Sequence, residues 1–201
     1  MLSEQLDFKK TAIASAFLLI FIVVSASIAT KKNNTWDEPA HILAGYAYLK
    51  HGSDFLSPRN HPVAGRGILS FPLLFLDLDF DRTVSPEDVT GSDFHPYAVR
   101  FLYENKASAD TILFLARLMN ILLGALLGAY VFVWARELWG DWGAYLSLFL
   151  FVLSPDVLAH SSLATTDMPV TAFFFIASYY LYRMAAVGPD WKRTLLAALF
   201  V

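Results

Sequence analysis

The chain has 201 residues, 56% of them hydrophobic and 15% aromatic, with a mean hydropathy of +0.48, the composition of a chain solvated largely by lipid. Its net charge of -3 provides no basic field that would hold nucleic-acid phosphates, so a nucleic-acid partner is set aside. It has no cysteine, which removes disulfide frameworks, thiolate nucleophiles and cysteine-based zinc sites together.

Taken in chain order, the first element is the uncharged run from Thr11 to Thr30, which at 1.5 Å rise per residue is long enough to cross a hydrocarbon core of roughly 30 Å. A cleaved signal peptide has a shorter apolar centre, so a retained anchor at about residues 11–30 is expected. A segment at 31–110 follows. Within it, Ala40–Leu49 suits a short amphipathic helix and Gly67–Leu76 is apolar enough to lie along a membrane surface, whereas Asp77–Asp110 carries turn signals such as Ser85-Pro86 and His95-Pro96. Further spans are expected at about 112–138, 142–158 and 168–187. In the last two the single charges, Asp156 and Arg183, stand near the ends, where they can snorkel to the headgroups. After Asp190-Trp191-Lys192-Arg193 a fifth apolar helix starts at about 194, and the chain is expected to stop inside it. The predicted fold is thus all-α: a polytopic transmembrane bundle over 1–201 with a long first loop carrying interfacial helices.

The short loops decide orientation, because Lys and Arg concentrate on the cytoplasmic side. Lys9, Lys10, Arg136, Arg183, Lys192 and Arg193 fall on one face under simple alternation, and the Lys/Arg-free 154–168 connection falls on the other, together with 31–110. The N-terminus is therefore expected in the cytoplasm and both of those loops outside, in a multi-pass protein of the inner (plasma) membrane.

Asp37 and Glu38 follow the first span, and Asp167 opens the fourth. The topology gives all three the same side and depth. A carboxylate at that interface suits a general base for a hydroxyl, since partial burial raises its pKa, and a second one could orient the acceptor or hold a divalent cation. Capping is the plainer alternative for Asp37 and Asp167, each two residues before a proline. Arg117, inside the second span, needs an anion: Asp37, Glu38 or the phosphate of a lipid carrier. His61 and Arg66, before the apolar Gly67–Leu76 stretch, are placed for the same phosphate. His41 and His160 with the carboxylates could form a metal site, but no tight H-x-x-x-H pair supports one. No metal ligand is assigned, and His51 and His95 read as ordinary loop residues.

With these residues placed, the sequence resembles the bacterial phospholipid-carrier-dependent glycosyltransferases of the protein O-mannosyltransferase type, in the GT-C superfamily. The likeness rests on Trp36-Asp37-Glu38-Pro39 with His41 and Gly45–Leu49, then Asn60-His61-Pro62, Phe101–Asn105 and Leu115–Leu118. It continues through Ala135–Gly140, Leu153–His160 and Ala164–Pro169. The resemblance implies an inverting transfer outside the cytoplasm from a polyprenyl-phosphate-linked sugar to a lipid, glycan or protein hydroxyl. It implies Asp37 as the catalytic carboxylate, Glu38 as its acidic neighbour, Asp167 as the acid opening the fourth helix and Arg117 as the second-helix arginine; Arg117, His61, Arg66 and His160 are the residues expected to bind the donor's lipid phosphate. Two departures bear on those contacts: Val63 stands for the usual second proline of a His-Pro-Pro motif, and Ser161-Ser162 follow the loop histidine where relatives carry arginine. This stretch alone is expected to be inactive. The competing reading is a non-catalytic membrane protein, part of a transporter or a binder of lipid-linked sugar, although a transporter would set its charges nearer the midplane.

Overall fold

The computed structural model describes residues 2–52, 63–80 and 95–200, with side chains from Lys10 onward except that of His51. Among the described residues the fold is all-helical: α1 (Leu2–Ala29), α2 (Glu38–His51), α3 (Val63–Ser70), a 3-10 turn (Phe71–Phe75), α4 (His95–Tyr103), α5 (Ala109–Val152), α6 (Pro155–Ser161), α7 (Asp167–Val187) and α8 (Trp191–Leu199). Among the described residues three helices are long and apolar enough to cross a membrane: Lys10–Ala29, Ala109–Val152 and Asp167–Val187.

The 44 residues of α5, if straight, would extend about 66 Å, twice the hydrocarbon thickness. They do not run straight. Gly140 sits at φ 73°, ψ -169°, a conformation open in practice only to glycine. On its two sides the chain folds back on itself: the rings of Phe132 and Tyr145 have centroids 5.5 Å apart, and Phe151 packs onto Gly128. A straight helix would hold the first pair about 20 Å apart. α5 is therefore two helices joined through one residue, which falls between the expected spans ending at 138 and starting at 142. The second of these was expected to run unbroken to 158. It instead stops at Val152 and restarts as α6 at Pro155, because a proline disfavours α geometry in the residue before it and has no N–H to continue the ladder.

The chain forms two compact units. One consists of the residues up to Ser25, Leu122–Ala159 and those from Met168 on. Here α1 packs Ala14 and Phe21 against Phe132, Ala135, Ala144 and Leu148. Lys10 and Arg136 both pair with Asp141, at 2.5 and 2.8 Å, beside the Gly140 reversal. From α7, the Tyr179 hydroxyl (2.8 Å) and Arg183 Nη1 (2.6 Å) donate hydrogen bonds to Glu137, so these two charges near the ends of expected spans are paired with each other.

The other unit consists of Ala26–Ile121 and His160–Asp167. Its core joins Ile42, Leu43, Tyr46, Leu73, Phe101, Leu102, Ile112 and Ala116. Pro39 is in the first turn of α2, where its missing N–H costs nothing, and Gly52 closes the helix in the left-handed conformation (φ 68°) with its N–H on the Tyr48 carbonyl. The expected amphipathic helix at 40–49 is enclosed instead: every residue from His41 to Ala47 is buried. One reason is Gly45, whose lack of a Cβ lets α2 lie directly on the Arg66 backbone of α3. Ser70 Oγ donates to the Ile42 carbonyl at 2.8 Å in the same contact.

Candidate functional site

Asp37 and Glu38 start α2 side by side, and successive helical residues point about 100° apart. Glu38 therefore faces the core, fully buried, while Asp37 faces outward, exposed. Asp37 occupies the N-cap position but its side chain makes no capping hydrogen bond, its backbone being in the right-handed helical region rather than the extended one that capping uses. The capping role weighed for it does not occur, and among the described residues its carboxylate has no hydrogen-bond or ion-pair partner.

Glu38 is the opposite case. Its Oε1 accepts from Arg117 Nε at 2.7 Å and from the Ala164 N–H at 2.8 Å; its Oε2 accepts from Arg117 Nη2 at 2.8 Å, from the Thr35 N–H at 2.7 Å and from Thr35 Oγ1 at 3.1 Å. Burial alone would push its carboxyl pKa up. The hydrogen bonds from Arg117, Ala164 and Thr35 with the Arg117 charge more than reverse this, holding it below the usual carboxylate range and therefore ionised.

Arg117 is only 1% exposed. Its two remaining contacts on Nη1 go to the carbonyls of Ala29 (2.6 Å) and Lys32 (2.9 Å), and a second on Nη2 goes to Asn33 (2.9 Å). A guanidinium has five N–H donors, and with the two to Glu38 all five are used. Of the three anions expected for Arg117, the structure supplies Glu38.

Asp167 opens α7 with its side chain 59% exposed; Oδ2 accepts from Thr165 Oγ1 at 2.8 Å and lies 3.4 Å from His160 Nδ1. Asp167 and His160, both expected at the site, are thus brought together. Arg66, expected at the surface, is 2% exposed within α3. His61 lies outside the described residues. His41 is buried in α2, and the described residues contain no group of three or more His, Asp or Glu arranged to hold a metal ion.

Three residues here escaped sequence reasoning. Asn120, fully buried on α5, donates through Nδ2 to the carbonyls of Leu163 and Thr165; its spacing of three from Arg117, one helical face, was the available signal. Thr165 orients Asp167. His95 starts α4 and stacks on exposed Trp36, with ring centroids 3.8 Å apart and planes 11° apart, while its Nε2 meets the Trp36 carbonyl at 2.8 Å. Asn34 Oδ1 takes a hydrogen bond from the Tyr103 hydroxyl. Together these pin the 33–36 segment that leads into Asp37. Nothing in the sequence links positions 36 and 95, since that contact is made by tertiary packing.

No curated protein and no solved structure matches the chain. Residues 108–201 match the family model of dolichyl-phosphate-mannose-protein mannosyltransferase. The matched stretch contains Arg117, Asn120, His160 and Asp167, and it points to a glycosyltransferase-type function for a chain with membrane-spanning helices.

Proposed function

We propose that this chain carries the extracytoplasmic loops of an inverting glycosyltransferase that takes its sugar from a polyprenyl-phosphate-linked donor. The observation that carries the reading is the pairing of an exposed Asp37, unengaged among the described residues, with a scaffold built by its neighbour. Glu38 is bonded both to Arg117 and to the Ala164 N–H, three residues before Asp167, so both carboxylate-bearing segments are fixed to one buried ion pair. Asp37 serves as general base: it takes the proton of the acceptor hydroxyl as that oxygen bonds to the anomeric carbon. The bond from that carbon to the phosphate oxygen breaks, polyprenyl phosphate leaves, and the configuration inverts. Asp167, with His160 and Thr165, orients the acceptor. Glu38 and Arg117 are positioning residues in this scheme. The donor phosphate is met by His160 and by His61, not by Arg117, whose donors are all occupied, nor by the enclosed Arg66.

The test is turnover of the full-length protein carrying Asp37→Asn, with polyprenyl-phosphate-linked mannose as donor and thermal midpoint measured alongside. Removing a general base commonly lowers rate by about 10² to 10⁴. Such a loss with an unchanged midpoint is expected; activity within about threefold of wild type would assign the base elsewhere. A non-catalytic binder of lipid-linked sugar would bind the donor and transfer nothing even with Asp37 intact.

A further inference from the structure

Helix α5 holds more than Glu38. One turn beyond Arg117, on the same face, Asn120 donates through Nδ2 to the Leu163 carbonyl at 2.6 Å and to the Thr165 carbonyl at 2.8 Å. A carboxamide nitrogen has two N–H donors and its oxygen has none, so two carbonyl partners identify which end of the amide faces the loop. Between those two residues, the Ala164 N–H donates to Glu38 Oε1 at 2.8 Å. Three consecutive backbone units are thus held by two side chains that are themselves fully buried. Held this way, two carbonyls of the connection between α6 and α7 have partners that water would otherwise have to provide. Two residues on, the Thr165 hydroxyl, fixed by its own clamped backbone, donates to Asp167 Oδ2 at 2.8 Å.

We infer that Asn120 is a positioning residue for Asp167: by clamping Leu163–Thr165 it sets the Thr165 hydroxyl and, through it, the direction of the Asp167 carboxylate. This rests on the role proposed above for Asp167 in sugar transfer, whereas the clamp itself rests on geometry alone. One face of α5 then serves both segments, Arg117 acting through Glu38 on the approach to Asp37 and Asn120 acting on the approach to Asp167.

Asn120→Asp tests it, being isosteric while turning the donating edge into one that repels the two carbonyls. Where that variant fails to fold, Asn120→Ser, shorter and uncharged, replaces it. In the full-length protein with polyprenyl-phosphate-linked mannose, kcat is expected to fall about 10- to 100-fold, the cost of misplacing a group by roughly 1 Å, with KM for the donor within about threefold. Because the effect passes through Asp167, the same change in an Asp167→Asn background should cost less than about twofold more. The full loss persisting in that background would overturn the inference. Hydrogen exchange gives a readout independent of activity: the amides of Ala164 to Asp167 should exchange at least about tenfold faster in the variant while those of Thr35 to Ile42 keep their rates. Unchanged exchange at 164–167, or acceleration of both segments alike, would overturn the clamp. A wild-type protein that transfers no sugar would remove the proposed function, and the exchange rates would still decide the clamp.

Discussion

At the scale of single residues, the distinction that matters is between the adjacent carboxylates Asp37 and Glu38. Sequence alone gave both the same side and depth, and so the same candidate role. Their difference arises from a 100° turn of helix that puts one against a guanidinium and the other outside. Likewise, the sequence showed that Arg117 needed an anion but not which one, because counting its five donors requires knowing where the carbonyls of Ala29, Lys32 and Asn33 stand. Glu38→Gln leaves the Arg117 charge buried without its counter-ion, and removing one partner of a buried pair costs about 3–5 kcal/mol. The folded carboxyl titrates below its ordinary 4.5, so its contribution to stability is complete above that pH and is lost as pH falls through the lower folded value. The thermal midpoint in detergent should therefore show a gap between wild type and Glu38→Gln that is constant from about pH 7 to 5 and narrows below about 4.5 as the wild-type carboxylate takes up its proton. A gap that widens on acidification would contradict the assignment.

At the scale of elements, the long charge-poor runs were legible because length and charge content are all that a span requires, and those properties are read directly from residues 11–30, 112–138 and 168–187. Less legible was the packing of α2. Its composition suits an amphipathic surface helix, yet Gly45 lets it sink against α3 until His41 to Ala47 are all covered. Gly45→Ala would drive a Cβ into the Arg66 backbone, which has no free rotamer to retreat into, and is expected to destabilise the protein by about 1–3 kcal/mol. Gly67, across the same contact in α3, is the control: a Cβ there would meet Leu49 at 3.7 Å and Tyr48 at 3.8 Å, ordinary contact distances. Gly67→Ala should be neutral or stabilising by up to about 1 kcal/mol, since glycine is the poorer helix former. Chemical denaturation of the two variants in detergent checks the pair, and equal losses would mean that the close approach at Gly45 is not special.

At the scale of the whole molecule, the expected orientation follows from the side on which Lys and Arg accumulate in short connections. Single cysteines can be introduced without competition because the chain has none. In intact cells, Lys31→Cys is expected to react with an impermeant maleimide and Pro189→Cys only after permeabilisation; both positions are exposed. The reverse pattern would place Asp37 and Asp167 in the cytoplasm and withdraw the extracytoplasmic transfer proposed for them. That the segments of Asp37 and Asp167 lie near one another was an expectation from simple alternation of the spans, whereas the clamp from Asn120 was not legible, because its spacing from Arg117 names the helix face it shares but not whether that face meets a loop, a neighbouring helix or nothing.

The reversal at Gly140 also bears on how such a chain can change over generations. A loop of several residues absorbs an insertion by bulging, but here the connector is a single residue with no slack. One extra residue beside it would turn all that follows by about 100° about the helix axis. Phe151 would leave the notch at Gly128, and Asp141 would swing away from Lys10 and Arg136. Substitutions along both arms can drift, but the count of residues between them is fixed, so a length change at this point should be tolerated far less than one in the Gly188–Asp190 connection between α7 and α8.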